Sequence, residues 1–386
     1  MIIFIGRFSV ALGIIVSLIT VSTGYGSKRA IKERMADFAG HVSIKSKQSN
    51  NSYNSSVLQN EGFQRQQIQE LNGIAGTQNY VSVSGILRNE DGFSGIIYKG
   101  IGKDFDAERF KKFLISGTTP TVTEKGFNSG ITISKKIADE LHLKVKDSIV
   151  AIFSRDEQQP VYRKFEVVGI YKTDIKMIDD LFVIGGINHA RRILGMKENE
   201  VGGMDVFLDN INELDAMSPQ IDKLVGYKNY TEKATEKYPQ IVDFIAIFDM
   251  NILLIIVIML VVVIINIIMV LLILIIERTN SIGMLKTLGA TNQQIRAIFI
   301  NYTLMIMIPG LIFGNLIGIG FLLIQKYFGV IQLNPENYYL STVPIDLNIL
   351  HILAISLGIL TVSAISLILP SYLISKISPV KAIKYD

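Results

Sequence analysis

Residues 244–276 read FIAIFDMNILLIIVIMLVVVIINIIMVLLILII, and only Asp249, Asn251 and Asn266 interrupt this apolar run. The hydrocarbon core of a bilayer is roughly 30 Å thick, and an α-helix rises about 1.5 Å per residue. A helix over the whole run would therefore reach about 50 Å. The sequence predicts a transmembrane helix that continues beyond the membrane as a stalk.

The rest of the chain also has the composition of a membrane protein. Its 386 residues are 49% hydrophobic and 19% charged, whereas soluble domains carry roughly 25% charged residues. Three further apolar runs cover Phe8 to Tyr25, Ile295 to Ile324 and Leu347 to Leu369. The absence of cysteine excludes a disulfide scaffold and thiolate metal sites. The net charge of +4 is too small and too dispersed to indicate a nucleic-acid partner.

Basic residues in short loops predict which way the membrane helices face. The loop between the second and third spans holds Arg278, Lys286 and Arg296, which indicates that this loop is cytoplasmic. Both termini are then cytoplasmic, and the long segment after the first span lies outside. A basic cluster within residues 28–34 argues for the opposite orientation, but large domains translocate largely regardless of charge.

The predicted fold is an α-helical integral membrane protein with four transmembrane helices and a large extracytoplasmic α/β domain between the first two. The predicted segments are transmembrane helix 1 (1–27), the extracytoplasmic domain (28–243), transmembrane helix 2 with its stalk (244–276), a cytoplasmic loop (277–291), transmembrane helix 3 (292–325), a short outer loop (326–346), transmembrane helix 4 (347–370) and a cytoplasmic tail (371–386).

Small residues four apart predict close helix packing in two of the spans, because they let helix backbones approach in lipid. These residues are Ser9, Gly13 and Ser17 in the first span and Gly310, Gly314 and Gly318 in the third. The packing partner is either another helix of the chain or a second copy. Polar groups are costly within a span. Asp249 is expected above the membrane, whereas Asn266 either bonds to a neighbouring helix or lines a substrate passage.

The extracytoplasmic segment has the pattern of a mixed α/β domain. Strands are predicted at Val81 to Arg88 and Phe93 to Ile101, with a hairpin turn at Asp91-Gly92. Further elements are predicted as a helix at Ser134 to Leu143, strands at Ile149 to Phe153, Phe165 to Ile170 and Met204 to Leu208, a helix at Ile211 to Leu224, and a flexible loop at Ser46 to Ser56. The four histidines lie far apart without metal-ligand spacing, which favours a binding or force-transmitting module over an enzyme.

The cytoplasmic loop has the most informative pattern, because ERTNSIGMLKTLGAT at 277–291 predicts a short helix between two long ones. Asn280 or Ser281 is the expected N-cap and Gly289 the expected terminator. Thr291-x-x-Gln294 is a capping box that opens the next helix. Ile282, Leu285 and Leu288 fall on one face. Either a partner protein covers that apolar face, or the helix lies in the lipid interface as an amphipathic anchor.

The pattern E-R-x-x-x-I-G-x-L-K-x-L-G-A from Glu277 to Ala290 resembles the cytoplasmic loop of type VII ABC transporter permeases, and lipoprotein-releasing (Lol-type) permeases fit best within that family. The macrolide-exporter permeases are related. The likeness covers nearly the whole chain and includes Ala30 to Ile44, Gly130 to Ser134, Phe165 to Ile170 and Pro379 to Lys384.

The resemblance implies a division of labour between subunits. An ABC ATPase dimer, which binds ATP and Mg²⁺, would dock on the short helix. This chain has no G-x-x-x-x-G-K-[ST] phosphate loop, so it is expected to be no enzyme and to hold no cofactor itself. By residue match, the ATPase-coupling residues are Glu277, Arg278, Ile282, Gly283, Leu285, Lys286, Leu288, Gly289 and Ala290.

The resemblance also implies location, partners and cargo. The expected location is a bacterial inner membrane, with a periplasmic domain of two subdomains. The expected partners are a second permease copy or paralogue, a lipoprotein substrate, a periplasmic lipoprotein carrier and membrane lipids, with no nucleic acid. Two alternatives stay open: an exporter permease that drives an adaptor and an outer-membrane channel, and a permease that signals to cell-wall hydrolases. Some Lol-type permeases recruit the carrier through a long hairpin, which is only Ser154 to Arg163 here.

Overall fold

The computed structural model describes residues 2–49, 53–90, 92–122, 126–154 and 159–366. The chain divides into two compact units. The membrane unit comprises residues 1–28, 244–332 and 342–386, and the sheet unit comprises residues 29–243 and 333–341. The C-terminal match from Pro379 to Lys384, the tail and Pro370 lie outside the described residues, as does Asp91 of the predicted hairpin turn.

The described residues form helices and strands with the following bounds. The helices are α1 (Ile2–Ala39), α2 (Arg65–Gln69), α3 (Ala107–Lys111), α4 (Lys135–Glu140), α5 (Lys176–Asp179), α6 (Ile187–Leu194), α7 (Leu214–Asp222), α8 (Ala234–Lys237), α9 (Pro239–Glu277), α10 (Thr279–Thr287), α11 (Asn292–Phe328), α12 (Pro335–Tyr338) and α13 (Ile349–Ser366), with a 3₁₀ turn at Ile211–Glu213. The strands are β1 (Val42–Ser46), β2 (Ile74–Arg88), β3 (Phe93–Ile101), β4 (Leu114–Gly117), β5 (Gly130–Ser134), β6 (Ser148–Phe153), β7 (Val161–Tyr171), β8 (Phe182–Gly186), β9 (Gly203–Leu208) and β10 (Asn229–Lys233).

Four of the described helices are long and apolar enough to cross a membrane: α1, α9, α11 and α13. The prediction of four transmembrane helices and a large α/β domain is therefore confirmed. Helices α1 and α9 are longer than the apolar runs that predicted them, because α1 continues to Ala39 and α9 already begins at Pro239. An apolar run shows which part of a helix is apolar. The backbone hydrogen bonds of the helix continue through the polar residues at its ends.

Glycines bring the helices of the membrane unit close together. A Cβ built on Gly314 would lie 2.9 Å from the carbonyl oxygen of Ala11, and one on Gly310 would lie 2.8 Å from that of Arg7. The contacts advance in the same direction along both helices, so α1 and α11 are parallel. Small residues at these crossings let the two backbones approach in the way that favours helix association in lipid.

Two glycines of α1 contact a different helix, α9. A Cβ on Gly13 would lie 2.5 Å from Cγ2 of Val263, and one on Gly24 would lie 2.5 Å from Cδ1 of Ile252, so α1 and α9 are antiparallel. Gly318 also faces α1, Ser17 is buried and Ser9 is half-buried. In this structure Gly13 packs against α9, and Gly310, Gly314 and Gly318 pack against α1 of the same chain.

The strands form one mixed sheet, whose described members run in the order β10-β1-β9-β2-β3-β8-β5-β7-β4, with β6 paired to β2 and β7. The predicted hairpin is confirmed as an antiparallel pair from Arg88↔Phe93 to Tyr80↔Ile101, although β2 begins earlier, at Ile74. The two subdomains that the resemblance implies stay a prediction. Its core includes Val81, Tyr98 and Phe165.

Several sequence predictions for the sheet unit need correction. The predicted helix from Ile211 to Leu224 is a 3₁₀ turn followed by α7, in which Pro219 lies inside the helix. The residues that form β8, α6 and β10 carried no prediction. The partner strands of β8 and β10 lie far away in sequence, as when β10 pairs with β1, so no hairpin pattern revealed these two strands. Of the predicted loop at Ser46 to Ser56, residues 50–52 lie outside the described part.

Candidate functional site

The loop between α9 and α11 folds as the sequence pattern predicts, into a short helix with a defined end. Helix α10 ends at Thr287, and Gly289, which follows the C-cap Leu288, has a φ of +95°. The Gly289 N–H donates to the Lys286 carbonyl at 3.1 Å, and the Ala290 N–H donates to the Leu285 carbonyl at 2.9 Å. This pair of bonds is a Schellman motif, which glycine favours because it adopts positive φ without a steric penalty.

The start of α10 differs from the prediction. Its N-cap is Arg278, whose side chain makes no capping hydrogen bond, so the prediction of Asn280 or Ser281 as the cap is wrong. The chain needs no side-chain cap there because it barely leaves helical geometry: the Arg278 N–H donates to Leu274 and the Ile282 N–H donates to Arg278. The predicted capping box at Thr291 and Gln294 is confirmed.

The inner face of α10 packs against the helices that flank it. Ile282 is 1% exposed, and Gly283 is buried as well. Ile282 belongs to a cluster with Leu274 of α9 and with Ile295 and Phe299 of α11. This packing fixes the rotation of α10 about its own axis. It also places Ile282 and Gly283 away from the surface that a second protein could contact.

The outer face of α10 presents Met284 and Leu288, which are 56% and 85% exposed. They lie four residues apart, so both side chains project from the same side of the helix. The sequence interpretation grouped Leu288 with Ile282 and did not single out Met284. The i, i+4 spacing of Met284 and Leu288 was a signal that could have identified this pair.

The remaining loop residues lie between these two faces or beyond them. Leu285, Lys286 and Ala290 are half-buried, and Glu277, Arg278 and Gly289 are exposed. Behind α10 lies a cavity of about 400 Å³. Its wall is mostly apolar and includes Ile3 of α1, so the first residues of α1 lie at the same end of the membrane unit as α10.

Two of the polar residues of α9, Asn266 and Asp249, make local contacts in the described structure. Asn266 is half-buried, and its Nδ2 donates to the carbonyl oxygen of Val262 in its own helix at 2.9 Å. Among the described residues Asn266 shows no bond to another helix, and the alternative, that it lines a substrate passage, stays a prediction. Asp249 forms an ion pair with Lys28 of α1, with 2.5 Å between Oδ1 and Nζ.

The part of the sheet unit that the structure describes holds no cluster of metal-ligating side chains. No group of three or more potential ligands lies close enough to hold a metal ion among the described residues. His41 accepts the Leu208 N–H through Nδ1 at 3.1 Å, and burial lowers the pKa of His41 to about 4. A neutral imidazole in this position ties the segment that follows α1 to β9, which is a structural role.

Comparison with known proteins gives matches over both parts of the chain. Residues 8–224, more than half of the chain, match the family model of the MacB-like periplasmic core domain. Residues 253–379 match that of the FtsX-like permease C-terminal region. The extracellular domain of the noncanonic ABC-type transporter YknZ from Gram-positive bacteria is also similar, with a TM-score of 0.34 and 16% identity over 50% of this chain and 99% of that chain.

Relatives that align over nearly their whole length are transmembrane proteins of lipoprotein-releasing systems. LolE of the lipoprotein-releasing system of Haemophilus influenzae is 24% identical over 98% of this chain and 94% of its own length. LolC proteins of Xylella fastidiosa and Neisseria meningitidis are 21% and 20% identical, each over 98% of this chain and 92% of the relative. The resemblance predicted from the loop motif is confirmed. The chain belongs to the family of ABC transporter permeases with a MacB-like periplasmic core domain and an FtsX-like C-terminal region, and it is a multi-pass inner-membrane protein with a periplasmic domain.

Proposed function

We propose that this chain is the permease subunit of an ABC transporter that extracts lipoproteins from the inner membrane, driven by ATP hydrolysis on a separate subunit. The relatives named LolE and LolC, which align with nearly the whole chain, support the cargo class. The observation that carries the coupling mechanism is the exposed Met284–Leu288 pair on α10. Two large apolar side chains on the outer face of a well-anchored helix favour a protein partner.

The rigid attachment of α10 supports its role as the coupling element. Because Ile282 packs between α9 and α11, a displacement of α10 would be passed to both transmembrane helices. In this proposal the ATPase dimer contacts Met284 and Leu288, with Leu285 and Lys286 beside them. Ile282 and Gly283 then hold α10 in place from behind. The loop and both termini lie in the cytoplasm.

The contact is tested by Met284→Glu combined with Leu288→Glu in the full-length tagged chain, purified from its native membrane. Charges on this face should remove the apolar contact, so we expect at least a tenfold loss of co-purified ATPase activity. Mass spectrometry should identify a co-purified chain that carries the G-x-x-x-x-G-K-[ST] motif. Phe93→Glu is the matched control, because the exposure of Phe93 lies between those of Met284 and Leu288 but Phe93 belongs to the sheet unit. Retention of full ATPase activity by the double variant would contradict the assignment.

The cargo is tested by reconstituting the purified complex into liposomes together with a fluorescent triacylated protein. We expect ATP-dependent transfer of that protein from the liposomes to the soluble fraction. No release with ATP would exclude lipoprotein extraction by this complex. The carrier is a separate question, because β6 and β7 pair up to Phe153↔Val161 and leave only residues 154–160 as their connection. We therefore expect release to be independent of a carrier bound at this connection.

A further inference from the structure

The sheet unit contains a polar cavity that is lined by residues of β1, β2, β3, β10 and α8. Its volume is about 240 Å³. Its lining includes Lys45 of β1, Tyr80 of β2, Lys99 of β3, Tyr230 of β10 and Lys237 at the end of α8. Cationic and phenolic groups from five separate elements thus meet at one place.

A glycine beside Tyr80 makes room for the ring of this tyrosine. Gly203 of β9 pairs with Tyr80, and a Cβ built on it would lie 2.6 Å from both Cζ and Oη of the tyrosine. Tyr80 is only 5% exposed, yet it lines the cavity. Among the described residues its hydroxyl has no hydrogen-bond partner, although buried polar groups usually have one.

The charges around the cavity do not cancel. Lys99 pairs with the buried Asp205 at 2.7 Å. Lys45 pairs with Glu232 at 2.5 Å. Lys237 has no ion pair or hydrogen bond to another described residue; its Nζ lies 5.5 Å from the centroid of the Tyr238 ring. Each ion pair is neutral, so the ammonium of Lys237 leaves the cavity with a net charge of about +1 when every side chain has its usual charge at neutral pH.

We propose that this cavity binds one phosphate group, held by the ammonium of Lys237 and the hydroxyl of Tyr80. Both groups are donors without a partner in the described structure, and a phosphate oxygen is the acceptor that satisfies them together. The single excess positive charge matches the single negative charge of a phosphodiester. The phosphate comes either from a phospholipid headgroup or from a free phosphate compound. This site is independent of the transport function proposed above.

The ionisation of Lys237 is consistent with a ligand of this charge. Burial lowers the pKa of Lys237 to about 8, Lys45 and Lys99 lower it further, and Asp205 and Glu232 oppose them. An anion in the cavity favours the charged form of this lysine. Binding at pH 8.5 should therefore be accompanied by proton uptake, which calorimetry in buffers of different ionisation enthalpy detects.

The experiment is isothermal titration calorimetry on the full-length chain in a neutral maltoside detergent. The probes are inorganic phosphate, glycerol 3-phosphate and a short-chain phosphatidylglycerol. We expect saturable binding of at least one probe, weakened about tenfold or more by Lys237→Gln, since hydrogen bonds to charged groups contribute that much. Tyr80→Phe should weaken binding less, and Lys237→Arg should restore much of it. Lys228→Gln is the control, because Lys228 is more exposed and pairs with Glu61 outside the cavity.

The three probes separate the two sources of phosphate. Binding of phosphatidylglycerol alone, sensitive to Lys237→Gln, assigns a lipid headgroup. Comparable binding of inorganic phosphate assigns a free phosphate compound. The proposal is overturned if no probe binds saturably, or if Lys237→Gln and Tyr80→Phe bind as wild type. Proton uptake that persists in Lys237→Gln would also overturn the assignment of this lysine.

Discussion

The contacts that stabilise the membrane unit internally differ in kind from those that stabilise the sheet unit internally. In the membrane unit, Gly314 and Gly310 let α11 approach the backbone of α1. In the sheet unit, the core surrounds an ion pair between Lys99 and Asp205, of which Asp205 is fully buried.

The difference follows from the solvent around each unit. Lipid tails are as apolar as leucine, so membrane helices gain little from burying apolar surface and depend on close packing. The sheet unit gains from burying apolar surface in water. That gain accommodates a buried charge, provided that the charge keeps its partner.

The largest expected effect comes from breaking the buried ion pair of the sheet unit. Asp205→Ala should lower the local free energy of unfolding by about 3–5 kcal/mol, because it leaves the Lys99 ammonium buried without its carboxylate. Ser43 also loses its 2.7 Å hydrogen bond to Asp205. Hydrogen-exchange mass spectrometry of β1 and β9 in the full chain measures the loss.

Asp215→Ala is the matched control, because Asp215 pairs with Lys233 at the surface. Exposed pairs contribute about 0–1 kcal/mol, so exchange should change little. Equal effects of the two variants would show that burial of the pair adds nothing, and the contrast between the units would lose its basis.

The next effect concerns the close packing of the membrane unit. Gly314→Leu places a side chain where a Cβ already meets Ala11 and Ile14 within about 3 Å. Overpacking of this kind costs about 1–3 kcal/mol. We expect a lower thermal unfolding temperature of the chain in detergent. Gly320→Leu on the same helix should be nearly neutral, since a Cβ on Gly320 meets no other atom within 4 Å. Equal destabilisation by both variants would contradict close packing at Gly314.

The smallest effect compares one helix cap from each unit. Thr291→Ala removes the capping box at the exposed start of α11 and should cost about 1 kcal/mol. Ser134→Ala should cost more, because Ser134 is buried, caps α4 and also donates to the Asp179 carbonyl. Exchange rates of the first turns of α11 and α4 measure both losses. A greater loss at Thr291 would mean that burial does not increase the contribution of a cap.

Much of the fold could be predicted from local pattern. The four apolar runs identify α1, α9, α11 and α13, because one helix must satisfy all its own backbone hydrogen bonds in lipid. The hairpin of β2 and β3 was also evident, since its strands are adjacent in the chain. The position of β1 was not evident. It lies between β9 and β10, and neither pairing has a local signal.

The candidate site was predictable in its outline and not in its orientation. The positions of Gly289 and Thr291 specify where α10 ends and α11 begins. The apolar spacing indicated one face with Ile282, Leu285 and Leu288. The structure instead buries Ile282 and exposes Leu288, with Met284 beside it. Periodicity defines the faces of a helix, but the neighbouring helices decide which face they cover.

The sequence by itself determined the membrane spans, the short helix between the second and third spans and the permease family, because each depends on local length, capping or a contiguous motif. Only the tertiary structure decided which glycines meet which backbone, which side chains of α10 face outward, and that Lys237 and Tyr80 share a cavity. The physical reason is the range of the interactions. Helix formation involves residues a few positions apart, whereas close packing and ion pairing join residues that the chain separates by more than a hundred positions, as from Lys99 to Asp205.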